Sequence, residues 1–538
     1  MRARRGRDTA DTAPGRAMIA VLLLVLGAVL VSSAARRAGV PAPIALAVAG
    51  LAVSYVPGVP GFRLDPHLAL FVFVPPLVYA DSLESSYLNL RANARPIALL
   101  SVGLVLVTVP AVGLVVHAVV PGTPWPVAFL LGAVLAPTDA VAAVSTARRL
   151  GLPRRLVTVL VAESVVNDAT GMTVFRLALA VALGGGTTLL GGTAQFLVAA
   201  IGGVATGLLL AVLVNLLRRR LADAVAETAV SVLVPFGACL AAEAVHASGI
   251  LAVLAAGLYA GHHAPASSHE ARLQEKATWR LVTHMLEAVT FVLIGLQLPA
   301  VLGALGTVDA GRLALAAAAV FCALALTRIC WVFPATYVPR LLSARLRERD
   351  PAPPWQMPAA VSWAGIRGVV SLAAAFAVPP TVPHRDLLLF LTFCVVLSTL
   401  LLQGLTFPVL VHRLGLRAEH QAYQDDLAEA VAQETAARAA WERVEQLVHD
   451  GAVPGHVLDR LRETAQHRRH TAWERLSAPG RPVVRETPTA AYRRLRREML
   501  AAERGAFVRL RGEGRIDDEV LRRVLHRLDL EEAMLCRD

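Results

Sequence analysis

The chain has 538 residues, of which 56% are hydrophobic and 17% charged, with a formal net charge of +12. A soluble domain carries about 25% charged residues, and a mean hydropathy of +0.57 excludes a single water-soluble globule. The charge is also segregated: residues 17–413 are apolar runs broken by short loops, whereas 414–538 are dense in Arg, Glu and Asp.

In chain order, a basic tail over 1–16, with "MRARRGR" and Arg16, precedes the first apolar run. A spanning helix needs about 20 apolar residues. Thirteen candidate runs start near residues 17, 42, 67, 96, 125, 154, 190, 225, 247, 277, 310, 357 and 384, of which the second, third and ninth are short. Backbone in hydrocarbon must satisfy its own hydrogen bonds, so runs of this length are expected to be helices. The fold class is therefore all-α: a polytopic membrane domain of about thirteen transmembrane helices over 17–413, then a soluble helical tail over 414–538.

In the tail, "DDLAEAVAQETAARAAWERVEQLVHD" is amphipathic, Pro482 and Pro488 bracket a break, and "GEGR" marks a turn between later helices. It holds no nucleotide loop, metal spacing or catalytic constellation, and reads as a bundle that dimerises or docks beneath the membrane domain.

Loops after the odd-numbered runs carry eighteen Arg and Lys residues, from Arg36 and Arg37 to Arg349, against three (Arg63, Arg312 and Arg385) after the even-numbered ones. The positive-inside rule then puts the odd loops and the C-terminal tail in the cytoplasm of a multi-pass plasma-membrane protein. The N-terminus is left outside, against its own arginines. That first segment resembles a secretory signal peptide, but the later loops favour an uncleaved helix. The rule also accounts for the basic surplus without nucleic acid as a partner. The five cysteines (Cys239, Cys322, Cys330, Cys394 and Cys536) form no CxxC pair and indicate no disulfide framework or zinc site.

A charge inside a spanning segment is rare and is a functional candidate by default. Five stretches carry such residues: "VLAPTDAVAAVS" with Asp139, "AESVVNDATG" with Glu163 and Asp168, "LAAEAVHASGI" with Glu243, "ALTRICWVF" with Arg328, and "SWAGIRGVVSLAAA" with Arg367. On a helix, residues four apart share a face. Ser164 and Asp168 therefore share one face and Glu163 and Asn167 another, about 140° from the first acid to the second. A carboxylate one turn from a hydroxyl presents oxygens to a small hard cation, while Glu163 can pair with a cation such as Arg328. Pro137 frees a carbonyl beside Thr138 and Asp139, and Gly365 and Gly368 flank Arg367. Two interrupted helices in corresponding halves are the pointer to a transporter site near the bilayer midplane. Thr170 and Ser371 read as helix–helix contacts, and "GHHAPASSH" (His262, His263, His269) as a solvated loop rather than a metal or pH site.

Together "LAPTDAVAAVS", "ESVVNDATG", "ASGILAVLAAGL", "FVLIGLQL" and "GIRGVVSLAAA" resemble the monovalent cation/proton antiporters of the Na⁺/H⁺ exchanger type, over about 20–413. The resemblance implies a dimer of thirteen-helix protomers with inverted repeats and crossed, partly unwound helices at the ion site. It implies no enzyme activity and no cofactor. It implies that Asp168 binds either cation or proton, and that Asn167 is the Asn of a pair that goes with electroneutral exchange. Thr138, Asp139 and Ser164 match ion-site positions, Glu163 and Arg328 a supporting ion pair, and Arg367 the second unwound segment. One departure stands out: where the family has an acid four residues after the second Pro of a "PPL" motif, "VPPLVYADS" has Ala80, with Asp81 one position later.

On this reading Na⁺ and H⁺ compete for Asp168 and one cation exchanges for one proton by alternating access, with K⁺/H⁺ exchange the nearest alternative and Li⁺ a further substrate. Two rivals of another class are weighed. An intramembrane aspartyl protease requires a GxGD motif that this chain lacks, and a passive channel requires polar residues repeated around a pore.

Overall fold

The structure, a computed structural model, describes residues 12–38, 41–56, 66–139, 143–144, 147, 152–185, 189–221, 223–305, 309–416, 419–449, 456–461, 463, 488–513, 515 and 518–537. The far N-terminal residues, Arg63, Arg148, Arg149 and the break at Pro482 lie outside them. The chain divides into two compact units, Met1–Arg417 and Ala418–Asp538. Among the described residues every regular element is helical and no strand occurs.

The first unit begins with α1 (Thr12–Arg37), α2 (Ala42–Ser54) and α3 (Pro66–Glu84). It continues with α4 (Ala94–Val119), α5 (Trp125–Leu135), α6 (Arg154–Ala182) and α7 (Leu189–Arg218). Next come α8 (Ala224–Ala244), α9 (Gly249–His263), α10 (His269–Ala304) and α11 (Ala310–Leu342). It ends with α12 (Gln356–Trp363), α13 (Val369–Phe376) and α14 (Arg385–Arg413).

Each of the thirteen apolar runs falls on one of these helices. Among the described residues seven helices (α4, α6, α7, α8, α10, α11 and α14) are long and apolar enough to cross a membrane, and α2, α5 and α9 are shorter apolar helices. Two of the shortfalls have a local cause. Helix α5 stops at Leu135, just before Pro137, and the run near 357 is split into α12 and α13 by the non-helical residues 364–368.

Glycine permits a close crossing of α2 and α10. A Cβ on Gly50 of α2 would lie 2.2 Å from the Val292 carbonyl oxygen of α10, and one on Gly295 would lie 2.1 Å from the Ala47 oxygen. Small residues let backbones approach in this way when no hydrophobic effect drives helices together. Outward, α7 exposes Leu197, Val198, Ile201 and Leu209, a surface that suits lipid. Inward, Leu130, Leu131 and Leu135 of α5 and Leu160, Met172 and Phe175 of α6 are fully buried with Ile366. This dense centre holds α5, α6 and the unwound 364–368 segment against one another.

In the second unit, α15 (Glu419–His449), α16 (Pro488–Gly512) and α17 (Asp518–Arg537) follow, with the "GEGR" stretch falling between the last two. Helices α16 and α17 bury Leu500 and Leu528. They are laced by Arg496 to Glu531 at 2.6 Å and by Arg504 to Asp529 and Glu532 at 2.6 and 2.7 Å. Exposed pairs of this kind are screened by solvent and contribute little, so the pairing of α16 and α17 rests on their apolar faces.

Candidate functional site

The site grows from two helix interruptions that cross. After α5 ends, residues 136–139 are non-helical, as expected where a proline removes a donor and crowds the preceding turn. Residues 364–368 are non-helical between α12 and α13. The two segments touch through backbone: the Asp139 N–H donates to the Ile366 carbonyl at 2.7 Å. Gly368 permits this approach, because a Cβ there would fall 2.0 Å from Asp139 Oδ2.

Arg367 closes the gap electrically. Its guanidinium is buried, its Nε donates to the Leu135 carbonyl at 3.1 Å, and Nη1 donates to Gly365 O. The last carbonyls of a helix have no intrahelical partner and carry partial negative charge, so Arg367 satisfies the broken end of α5. Its own N–H donates to Thr399 Oγ1 at 3.1 Å, and Ser371 Oγ lies 3.5 Å from the freed Pro137 carbonyl.

Helix α6 presents two functional faces. On one, Glu163 and Arg328 are each 1% exposed and form a two-pronged pair, Nη1 to Oε1 at 2.5 Å and Nη2 to Oε2 at 2.9 Å. Arg328 Nε donates to the Val361 carbonyl of α12 at 3.0 Å. Thr138 Oγ1 accepts from Asn167 Nδ2 at 2.6 Å and donates to Glu163 Oε1 at 3.4 Å, and the Thr138 N–H reaches Asn167 Oδ1 at 3.4 Å. Asn167 and Glu163 thus anchor the first unwound segment.

The other face of α6 looks into a cavity. Ser164 and Asp168 line it with Asp81 of α3, Asp139, Glu287 of α10 and Ser371 of α13; Leu77, Pro137 and residues 368–370 complete the wall. Four of the eleven lining residues are acids and none is basic. Asp168 is 5% exposed. Among the described residues no three His, Cys, Asp or Glu side chains converge closely enough to hold a metal ion together. A cation in the cavity would therefore have to draw on hydroxyl, carbonyl or water oxygens beside the acids.

The nine residues that the family resemblance and the PPL motif pointed to lie at this crossing, Asp168, Asp139, Ser164 and Asp81 on the cavity and Thr138, Asn167, Glu163, Arg328 and Arg367 in the framework around it, whereas Glu243, the other intramembrane charge singled out, does not. Asp81 reaches the cavity although it sits one position past the family's usual place. Glu287 is the acid that sequence reasoning missed. It lies in "RLVTHMLEAVTFVLIG", where no second charge, Asn-Asp pair, proline or glycine stands beside it to mark it as the other acids were marked. A search for every acid inside an apolar run would have found it. Arg176, also overlooked as a counter-ion within a helix, pairs with Glu243 at 2.5 Å away from the cavity. His262 is exposed, and His263 hydrogen-bonds the Tyr259 carbonyl one turn earlier at 2.9 Å.

Comparison with known proteins follows the same lines. Residues 21–413 match the family described as "Sodium/hydrogen exchanger, transmembrane". An uncharacterized Na⁺/H⁺ exchanger of Mycobacterium bovis is 33% identical over 531 residues, covering 96% of each chain. A sodium, potassium, lithium and rubidium/H⁺ antiporter of Bacillus pumilus is 31% identical over 388 residues, 69% of this chain and 58% of that one. The solved structure of the sodium proton antiporter MjNhaP1 from Methanocaldococcus jannaschii superposes with a TM-score of 0.57 at 18% identity, covering 74% of this chain and 99% of that one. At that identity the likeness is one of fold.

Proposed function

Because this chain belongs to the sodium/hydrogen exchanger family, we propose that it exchanges Na⁺ for H⁺ across the plasma membrane, electroneutrally and by alternating access, with both ions competing for Asp168. The coarser statement, a membrane-embedded cation/proton antiporter, follows from the family. The observation that supports the finer one is the cavity lined by four carboxylates and no basic side chain.

Carboxylates taken out of water are costly unless compensated, and like charges around one small space disfavour one another. Compensation must come from an ion that enters: a cation or a proton. Asp168 is the acid of the four carried by the same helix as the supporting ion pair. Ser164, one turn earlier, and the partial positive end of α13 frame the same space. Arg328 neutralises Glu163, and Asn167, counted with Thr138, Asp139 and Ser164 among the ion-site residues, carries no charge to trade for a proton. One carboxylate that trades a cation for a proton moves no net charge.

Alternating access follows if the protein changes conformation readily only with the cavity compensated. Among the described residues one backbone hydrogen bond, Asp139 N–H to Ile366 O, joins the two unwound segments, a junction that suits a hinge between two arrangements. The absence of a tight chelating cluster among the described residues suits a cargo that must leave as easily as it arrives. The homodimer and the cytoplasmic side of the second unit belong to the same proposal.

The test uses purified protein in liposomes loaded with a pH-sensitive dye. A Na⁺ jump outside should drive proton efflux that is unchanged when the voltage is clamped at zero. Efflux with K⁺ but not Na⁺ would replace the substrate and keep the mechanism. Current that follows voltage without proton coupling would sink the antiport reading.

A further inference from the structure

A second cavity, of about 620 Å³ with the open space before it, lies among α4, α6, α11 and α12. None of its lining residues belongs to the acidic cavity. Most of its wall is apolar, with Leu99 of α4, Leu156 of α6, Val332 of α11 and Met357 of α12 among the lining side chains.

Three of the remaining lining residues are Arg95, Arg155 and Arg340. All three converge on a single acid, Asp350. Arg155 Nη2 is 2.5 Å from Oδ1, Arg340 Nη2 is 2.6 Å from Oδ2, and Arg95 Nη1 stands off at 3.7 Å from Oδ2. One carboxylate against three guanidiniums leaves a surplus of two positive charges. Arg340, 6% exposed, is spent on this pair and on the Asp350 and Thr336 carbonyls. Arg95 is not: its Nε and Nη1 are buried and make no hydrogen bond. Buried donors without an acceptor are unfavourable, and with the Arg95 and Arg155 side chains 30% and 40% exposed this end of the cavity is open to an anion from outside.

A small free anion would leave the apolar wall unused, and a neutral lipid would leave Arg95 unanswered. We infer that the cavity binds an anionic phospholipid, its phosphate against Arg95, Arg155 and Arg340 and an acyl chain along Leu99, Leu156, Val332 and Met357. Basic pockets between transmembrane helices on the cytoplasmic side bind lipid headgroups in this way. The three arginines sit in the end turns of α4, α6 and α11, at helix ends that the positive-inside count assigns to that side. The lipid would also brace α12, since Val361 both lines the cavity and gives its carbonyl to Arg328.

The test is binding, read by native mass spectrometry of the full chain in non-ionic detergent titrated with phosphatidylglycerol, phosphatidylcholine or glycerol phosphate. Phosphatidylglycerol should be retained about tenfold better than phosphatidylcholine. Arg95→Gln should lower its retention about fivefold, because Arg95 carries the unmet donors while Arg155 and Arg340 keep Asp350 paired. Met357→Trp, which fills the apolar part and spares the arginines, should lower it too. Equal retention of the two lipids, or undiminished retention in both variants, overturns the assignment. So does displacement of the lipid by equimolar glycerol phosphate, which would make this a soluble-anion site. No transport is read, so failure here leaves the antiport proposal standing.

Discussion

Removing one partner of the Glu163–Arg328 pair should be far worse than removing both. Each side chain is 1% exposed, and the pair is two-pronged at 2.5 and 2.9 Å. Glu163→Gln leaves a buried guanidinium without its counter-charge, and Arg328→Met leaves a buried carboxylate with only the long 3.4 Å hydrogen bond from Thr138 beside it. Breaking one half of a buried pair costs about 3–5 kcal/mol, whereas replacing both halves with apolar groups of similar volume is often neutral. Combining Glu163→Leu with Arg328→Met should therefore recover most of the loss, with a coupling of about 2 kcal/mol or more in a double-mutant cycle. Some loss should persist, because Arg328 also holds the Val361 carbonyl and Glu163 holds Thr138. Reversible unfolding in mixed detergent micelles, followed by circular dichroism for the four proteins of the cycle, gives the coupling directly. Additive losses, with no recovery in the double variant, would refute the supporting role.

Gly368→Ala should reduce exchange at least about tenfold while the protein still folds, since a Cβ would lie 2.0 Å from Asp139 Oδ2 and overpacking of this kind costs about 1–3 kcal/mol; the liposome assay and a melting curve check the two halves. Glu287→Gln should weaken apparent Na⁺ affinity without abolishing exchange. A charge across a small cavity is worth about 1–2 kcal/mol at an effective dielectric near 20, so the Na⁺ concentration for half-maximal flux should rise about five- to thirtyfold. Acid should strip out the contribution of Asp350. Burial alone would raise that carboxyl, but the hydrogen bond and charge of Arg155, with Arg340 and Arg95, hold it below the ordinary carboxylate range. A depressed folded-state value gives stability that is present above the unfolded value, about 3.9, and lost as pH falls through the folded one. The melting temperatures of wild type and Asp350→Asn should thus differ at pH 7 and converge below about pH 4.

Much of the architecture was legible because lipid imposes a simple rule: backbone must bond to itself, so long apolar runs are helices. The runs expected to start near 154, 225 and 310 begin within one residue of α6, α8 and α11. Pro137 and the pair Gly365 and Gly368 announced the interruptions, since one lacks a donor and the others allow close approach. The division of α6 into a Ser164–Asp168 face and a Glu163–Asn167 face needed only helical geometry. What periodicity could not give was which distant helices meet. That Asp81 of α3 and Glu287 of α10 share a cavity with Asp168 depends on tertiary packing through positions such as Gly50 and Gly295. The three arginines around Asp350 read as loop charges in the sequence, because their convergence joins residues 95, 155, 340 and 350 across three separate connections.

The competition of cation and proton for Asp168 is tested most directly by counting protons released as Na⁺ binds. Isothermal titration of the detergent-solubilised protein in buffers of different ionisation enthalpy yields that number without any transport step. One proton should leave for each Na⁺ bound near neutral pH, and Asp168→Asn should neither bind Na⁺ measurably nor release a proton. Na⁺ binding with no proton release, or release that persists in Asp168→Asn, would contradict the account.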